Sequence, residues 1–416
     1  MSTKLTMIKH NVYKLALLSA VALLATGCSS ETDEVQDNGP KSRMELNAEE
    51  EGVCATEVEK AFSVFGELYT DANDRENVLL SPISLDLCLG MTTNAFIADD
   101  CAEIVRKLGA SSATALNEFN KNRINYFSYN GKRAKVTFAN SVWANSLTMK
   151  SEQEFATATE IIKKFYDAEC RVIDFGTNNM KSIINDWCSD KTNGLIPGFL
   201  KDAPSTHERA LFINAMYFDC QWKDPFKRSR TKTESFYSPD GSRRRCGAAM
   251  MSDERDVAAI VTKDYSMFAL PYADCNYSAV FVLPDKSKRI ADILPAIKSV
   301  LLSRELDKVS QERYLIFIPR FNTEFSRYIT QYVSDAGIDL SNRELLGYGL
   351  VSPEILQATR VMVNEEGTKI ATATGTTGTI APRLNIIRLD RPFMMIVKDN
   401  NHGSILLMAA IQMPKE

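Results

Sequence analysis

Near the C-terminus, residues 363–393 read V-N-E-E-G-T-K-I-A-T-A-T-G-T-T-G-T-I-A-P-R-L-N-I-I-R-L-D-R-P-F. The middle of this stretch, residues 367–379, is almost wholly Thr, Ala and Gly. Alone, such a tract reads as a flexible surface loop. Its surroundings restrict it further. Strand-like runs stand on both sides, residues 360–363 before it and residues 393–397 and 405–413 after it. Its Thr and Ile suit a pleated sheet, where a plain spacer would lean on Gly and Ser. The tract is a loop with the composition of a strand.

The other end of the chain addresses it out of the cell. Lys4, Lys9 and Lys14 precede a short apolar run at residues 15–24, of signal-peptide length and too short to span a bilayer comfortably. Residues 25–28 read A-T-G-C, which resembles a bacterial lipoprotein cleavage box with Cys28 as the lipidated residue. Ala25 stands where such boxes usually carry Leu. Residues 1–28 are thus expected to be removed, and residues 29–50, polar and acidic, to form a disordered tether. The expected location is the bacterial cell envelope, on the outer membrane or cell surface, or the extracellular space. Residues 51–416 remain for the folded part.

Nine cysteines are scattered without a C-x-x-C pair, which argues against a zinc site or a dense disulfide scaffold. Cys88 and Cys220 sit in apolar runs and read as small buried hydrophobes. One or two disulfides stay open in an exported protein. A formal net charge of −4 gives no reason to expect nucleic acid as a partner.

Six separated segments then resemble, in order, the serpin family of serine protease inhibitors. Residues 77–85 read N-V-L-L-S-P-I-S-L, a buried strand followed by a helix beginning near Ser84, with Ser a good N-cap. Residues 136–147 alternate as a strand. Residues 183–200 include I-N-D-W-C-S-D-K-T-N-G, with Ile183, Ile184 and Trp187 on one helical face and Gly194 as its terminator. Residues 210–217 read as a central strand with Asn214 buried, continuing to Phe218 and then to Trp222, Pro225 and Phe226. Residues 314–321 read as one strand, and Ala336-Gly337-Ile338 as the turn before the strand that leads to the loop. The C-terminal D-R-P-F (390–393) and G-S-I-L-L-M (403–408) complete the set. The resemblance covers residues from about 55 to the end.

It implies an α+β serpin fold: a large mixed central sheet, further sheets, about eight to nine helices and an exposed reactive loop at about 364–388. It also implies a function, suicide inhibition of serine or cysteine endopeptidases, in which the cleaved loop inserts into the main sheet and drags the acyl-enzyme along. The hinge would be Glu365, Glu366, Gly367 and Thr368, with Ile370, Thr372 and Thr374 following. Sheet opening would involve Ser81, Ser84, Asn214, Trp222 and Gln357. The family usually has His at the position of Gln357, and Gln cannot titrate.

The residues themselves permit insertion. If Thr368 starts the new strand, Thr368, Ile370, Thr372, Thr374 and Thr376 point inward and none is charged. Lys369 falls on the other face. No Pro removes a ladder donor between residues 367 and 380. Gly375 and Gly378 each weaken the strand by about 0.5–1 kcal/mol, and Ile370, bulkier than the family's usual Ala, is a second brake. Full insertion of residues 368–381 carries a tethered protease roughly 45 Å.

The scissile bond stays open among three. Family spacing marks Ala381–Pro382, but a bond before Pro is cleaved badly because its nitrogen carries no hydrogen. Ile380–Ala381 suits an elastase-like enzyme and is preferred here. Arg383–Leu384 suits a trypsin-like one. The basic residues Lys227, Arg228, Arg230 and Lys232, with Arg243, Arg244 and Arg245, form a cluster around a hairpin turned at Asp240-Gly241. It reads as a solvated strand face, or as a site for a polyanion or protease. The alternative function is a non-inhibitory carrier or surface structural protein. Enzymatic motifs are absent, only three His occur, and no metal or cofactor is expected. A monomer is expected.

Overall fold

The computed structural model describes residues 41–73, 75–368 and 385–415. Its helices are α1 (Ala48–Asp71), α2 (Pro82–Asn94), α3 (Ala98–Lys107), α4 (Ala113–Phe127), α5 (Glu152–Tyr166), α6 (Met180–Lys191), α7 (Ile290–Leu302) and α8 (Thr330–Asp335). The strands before α7 are β1 (Val78–Leu80), β2 (Tyr129–Asn130), β3 (Ala134–Asn145), β4 (Glu169–Ile173), β5 (Ala210–Gln221), β6 (Lys232–Tyr237), β7 (Arg244–Val261), β8 (Tyr265–Pro271) and β9 (Tyr277–Pro284). After it come β10 (Gln311–Pro319), β11 (Phe321–Tyr328), β12 (Arg343–Leu345), β13 (Gly349–Val351), β14 (Leu356–Val363), β15 (Gly367–Thr368), β16 (Asn385–Arg388), β17 (Phe393–Asp399) and β18 (Ile405–Ile411). This is the expected α+β architecture.

A nine-stranded sheet runs β1-β18-β17-β9-β8-β7-β10-β16, with β6 also on β7. The strands β17 and β18 are buried along their whole length, which explains the apolar runs 393–397 and 405–411, with Lys398 and Asp399 the charged exceptions at the end of β17. The second layer comes in two parts. One runs β15-β5-β3-β2, with β4 on β3; the other pairs β11 with β14. Most pairs are antiparallel, but β3–β4 and β10–β16 are parallel, so the sheets are mixed.

Alternation along β5 builds two cores at once. Phe212, Phe218 and Cys220 join the main core, while Leu211, Ile213, Ala215 and Tyr217 face the cluster of Trp143, Ile184 and Trp187 brought by β3 and α6. Helix α2 is buried at every residue and packs on both β5 and β18. It forms the floor between the layers.

Four local expectations change. Helix α1 begins at Ala48, and Met44 and Leu46 pack on the core, so residues 41–50, read above as tether, are ordered. Asn47 is the reason: its side chain caps Glu49 and Glu50 while Glu50 reaches back to the Asn47 amide. The run at 314–321 is two strands broken at Arg320, one in each layer. Ser81, not Ser84, stands at the N-cap of α2, and it makes no capping hydrogen bond, because its hydroxyl is used elsewhere. Gly337 ends α8 at φ 95°, but the β12–β13 hairpin intervenes before β14.

Candidate functional site

The site is the seam between the two parts of the second layer. Among the described strands, β14 pairs only with β11, and β5 pairs with β3 and, at its C-terminal end, with β15. Chain leaves β14 at Val363, turns through 364–366 and returns as β15 against β5. The register sets Gly367 opposite Gln221 and Thr368 opposite Cys220, antiparallel. The first residues of the loop are therefore already a strand in the sheet.

The turn is held by its own Asn and by β5. The Asn364 Oδ1 accepts from the amides of Glu366 (3.0 Å) and Gly367 (3.3 Å). The carbonyls of Glu366 and Glu365 accept from the Trp222 amide (2.7 Å) and the Phe226 amide (2.6 Å). The Trp222 indole N–H donates to the Asn364 carbonyl at 2.9 Å. Gly367 is required by close approach: a Cβ there would stand 2.3 Å from the Cys220 carbonyl and 2.5 Å from the Gln221 Cα.

Both hinge carboxylates are buried, and burial without partners is expensive. Arg228 bonds Glu366 at 2.8 Å, and the Thr231 hydroxyl bonds Glu365 at 2.7 Å, with Arg320 3.8 Å from Glu365. Arg230 pairs with Asp253 at 2.5 Å. The cluster read as a single basic face thus divides. Residues 228–231 serve the hinge and its neighbourhood, while Arg243, Arg244 and Arg245 lie at the other end of β6. Thr231 and Tyr272 were missed in the sequence. Nothing local marks them, though a Glu-Glu pair entering a sheet demands donors.

Below the hinge, the seam closes to a slot with about 20 Å³ of free space, walled by Met216 and Phe218 of β5 and by residues 358–361 of β14, with Ser81, Ser84 and Leu407 as floor. That admits one water at most. Gln357 ties β14 to the floor: its Oε1 accepts from the Ser81 amide at 3.1 Å and its Nε2 donates to the Ser81 carbonyl at 3.0 Å. The Ser81 hydroxyl donates to the Leu406 carbonyl (2.8 Å) and lies in hydrogen-bond contact with the Ser84 hydroxyl (2.9 Å), from which it accepts. Asn214 is buried, donating to the Asn140 Oδ1 at 2.7 Å, and its own Oδ1 has no partner. Trp222 is fully buried and stacks on Tyr272, ring centroids 4.7 Å apart. Burial pushes the Cys88 thiol up to about 12, in keeping with a small buried hydrophobe.

The structure brings Ser81, Ser84, Gln357 and Thr368 to one slot, with Asn214 further along the same face of β5 and Trp222, Glu365, Glu366 and Gly367 at its mouth. Ile370, Thr372, Thr374, the bond candidates Ile380, Ala381, Pro382, Arg383 and Leu384, and Cys28 lie outside the described residues. Downstream of the loop, β16 starts at Asn385 and pairs parallel with β10. Among the described residues no group of three His, Cys, Asp or Glu could hold a metal ion.

The serpin (serine protease inhibitor) family model matches residues 56–414. Antithrombin-III of Mus musculus is 25% identical over 455 residues, covering 96% of each chain. The solved human thyroxine-binding globulin complex superposes with a TM-score of 0.78 at 20% identity, covering 89% of this chain and 100% of that one. Tengpin, a thermophilic serpin in its native state, superposes with a TM-score of 0.76 at 23% identity, over 90% of this chain and 96% of that one. With its family model matched along nearly all of the described residues, the chain belongs to the serpin family.

Proposed function

We propose that this protein is a suicide inhibitor of serine endopeptidases, and that the seam between β5 and β14 receives its cleaved loop. The observation that carries this reading is β15: Thr368 is buried between the two strands, with its backbone paired to β5. Continuing that register sets Ile370 opposite Phe218, Thr372 opposite Met216 and Thr374 opposite Asn214. All three would then point into the slot, and the Thr374 hydroxyl would arrive where the Asn214 Oδ1 lacks a donor. An orphan buried acceptor costs about 1–3 kcal/mol, so its satisfaction favours insertion. The protease serine attacks the scissile carbonyl and forms an ester, the new amine departs with the β16 side, and insertion carries the ester away before water reaches it.

Among the bonds, Ile380–Ala381 is favoured, pointing to an elastase-like target. Arg383–Leu384 leaves one residue before β16, too little extended chain for a protease cleft on that side. Cys28 anchors the chain by lipid to the bacterial envelope. A polyanion is proposed at Arg243 and Arg245, which line an open cleft of about 740 Å³ with Lys286, Lys288 and Arg289. The carrier reading draws on the likeness to thyroxine-binding globulin.

The test is to mix the protein with pancreatic elastase and, separately, with trypsin. An SDS-resistant complex, lost in Thr368→Arg, is expected with elastase. Cleavage without a complex and without a rise in thermal stability overturns the reading and moves the carrier function forward.

A further inference from the structure

The top of β5 touches the β8–β9 turn as well as the hinge. Trp222 forms an antiparallel bridge with Tyr272, and the Ala273 amide donates to the Gln221 carbonyl at 2.8 Å. Chain direction then reverses at Asp274, held at φ 57°, with the Tyr272 amide bonded to the Tyr277 carbonyl at 3.0 Å. This reversal turns Cys275 back toward β5. Its side chain lies beside that of Cys220, and both residues are buried.

We propose that Cys220 and Cys275 are a disulfide pair, closed when the protein folds in an oxidising compartment. The Ala273–Gln221 hydrogen bond and the Trp222–Tyr272 bridge hold the backbone next to each cysteine together, and a bridge needs such close backbone. In the described structure all eight cysteines from Cys54 to Cys275 are reduced.

The chemistry is thiol–disulfide exchange with a small disulfide oxidant such as oxidised glutathione. One thiolate attacks a glutathione sulfur, and one glutathione thiolate leaves. The second cysteine thiolate then attacks the protein sulfur of the mixed disulfide and expels the other glutathione. Two cysteine protons are given up, two electrons pass to the oxidant, and two glutathione thiols result. Burial raises the Cys220 thiol well above its ordinary value, so little thiolate exists once the core has closed. The bridge therefore forms on the folding path, and once formed it is shielded from reductant.

Its place gives it a consequence. The Tyr272 hydroxyl meets the Thr368 hydroxyl, and Cys220 stands opposite Thr368 in the ladder. The bridge pins the strand that receives the hinge to the turn that bonds the hinge.

The test is refolding of the full chain with a mixture of reduced and oxidised glutathione, then digestion without reductant and mass spectrometry. A peptide linking Cys220 to Cys275 is expected, absent in Cys275→Ser. Oxidised wild type should melt about 5 °C above the reduced form, as expected for cross-linking a loop of roughly 54 residues. The double variant Cys220→Ala/Cys275→Ala should melt like the reduced protein under both conditions. Finding both thiols free after oxidative refolding, or either joined to another cysteine, overturns the proposal. Neither result depends on whether the protein inhibits a protease.

Discussion

The hydroxyls of Tyr272 and Thr368 meet at 3.0 Å in the buried seam, one from the turn between β8 and β9 and one from the hinge. This single bond joins the first inserted residue to the opposite layer. Tyr272→Phe removes it and leaves a Thr hydroxyl unpaired in the core, at a cost of about 1 kcal/mol. The Thr368 amide should then exchange its hydrogen about fivefold faster. Unchanged exchange would mean that backbone pairing alone seats the hinge.

Gly367→Ala acts on the same strand by steric exclusion. The new methyl would meet three backbone atoms at the end of β5 and just past it, at Cys220, Gln221 and Trp222, all within 2.9 Å. Backbone cannot swing aside as a flexible side chain does, so β15 must leave, at a cost of about 2–3 kcal/mol. The Trp222 amide, which donates to Glu366, should lose protection from exchange. In a protease assay more of the protein should be cleaved and less trapped. Retained Trp222 protection would refute the close-approach argument.

Much of this was legible in the sequence, and what was not has a common cause. Period-2 alternation placed β3, the family resemblance placed β5, and the Thr-rich tract pointed to a strand in waiting. Thr368 lies inward, as the alternation required. What failed was pairing over long sequence separation. Arg228 and Thr231, which bond Glu366 and Glu365, come from a basic stretch some 135 residues earlier, which its composition marks only as polar surface. Arg320 breaks one apolar run into strands of two different sheets, and no propensity distinguishes that from continuity. The sequence places the start of α2 near Ser84, whereas the N-cap is Ser81, whose hydroxyl is drawn away from capping by Leu406, more than 300 residues away.

Gln357 offers a third test. Its amide closes a two-bond ring with the backbone of Ser81, the one acceptor and one donor that a neutral amide provides. Gln357→Ala orphans the buried Ser81 N–H and takes one of two donors from its carbonyl, which the Leu85 amide still bonds, and this should cost about 2 kcal/mol and lower the urea midpoint of the native state. Gln357→Glu keeps the acceptor for the Ser81 amide but loses the donor, and should fall between. Ser81→Ala leaves the ring intact, so it should cost less than Gln357→Ala. Equal losses for Ser81→Ala and Gln357→Ala would show that the floor hydroxyl, not the ring, ties β14 down.

The last test concerns acid. Lys398 of β17 is buried and bonds Asp307 at 2.6 Å, while Arg304 bonds the other oxygen at 3.0 Å. Burial works against the charged carboxylate of Asp307, but Lys398 and then Arg304 outweigh it and hold its pKa below the ordinary value of 3.8. A carboxylate with a depressed folded pKa contributes stability that is present above the unfolded pKa and lost as pH falls through the folded one. Asp307→Asn leaves Lys398 buried with no carboxylate. At pH 7 it should cost about 2 kcal/mol, near the lower end for breaking a buried pair because Asp307 keeps some solvent contact. That corresponds to a melting point lower by about 3 °C for a chain of this size. Below about pH 4 the unfolded chain takes up a proton at this carboxylate that the folded one resists, so the two melting curves should draw together as pH falls further. A gap that stays constant from pH 7 to pH 2.5 would assign the loss to packing and not to charge.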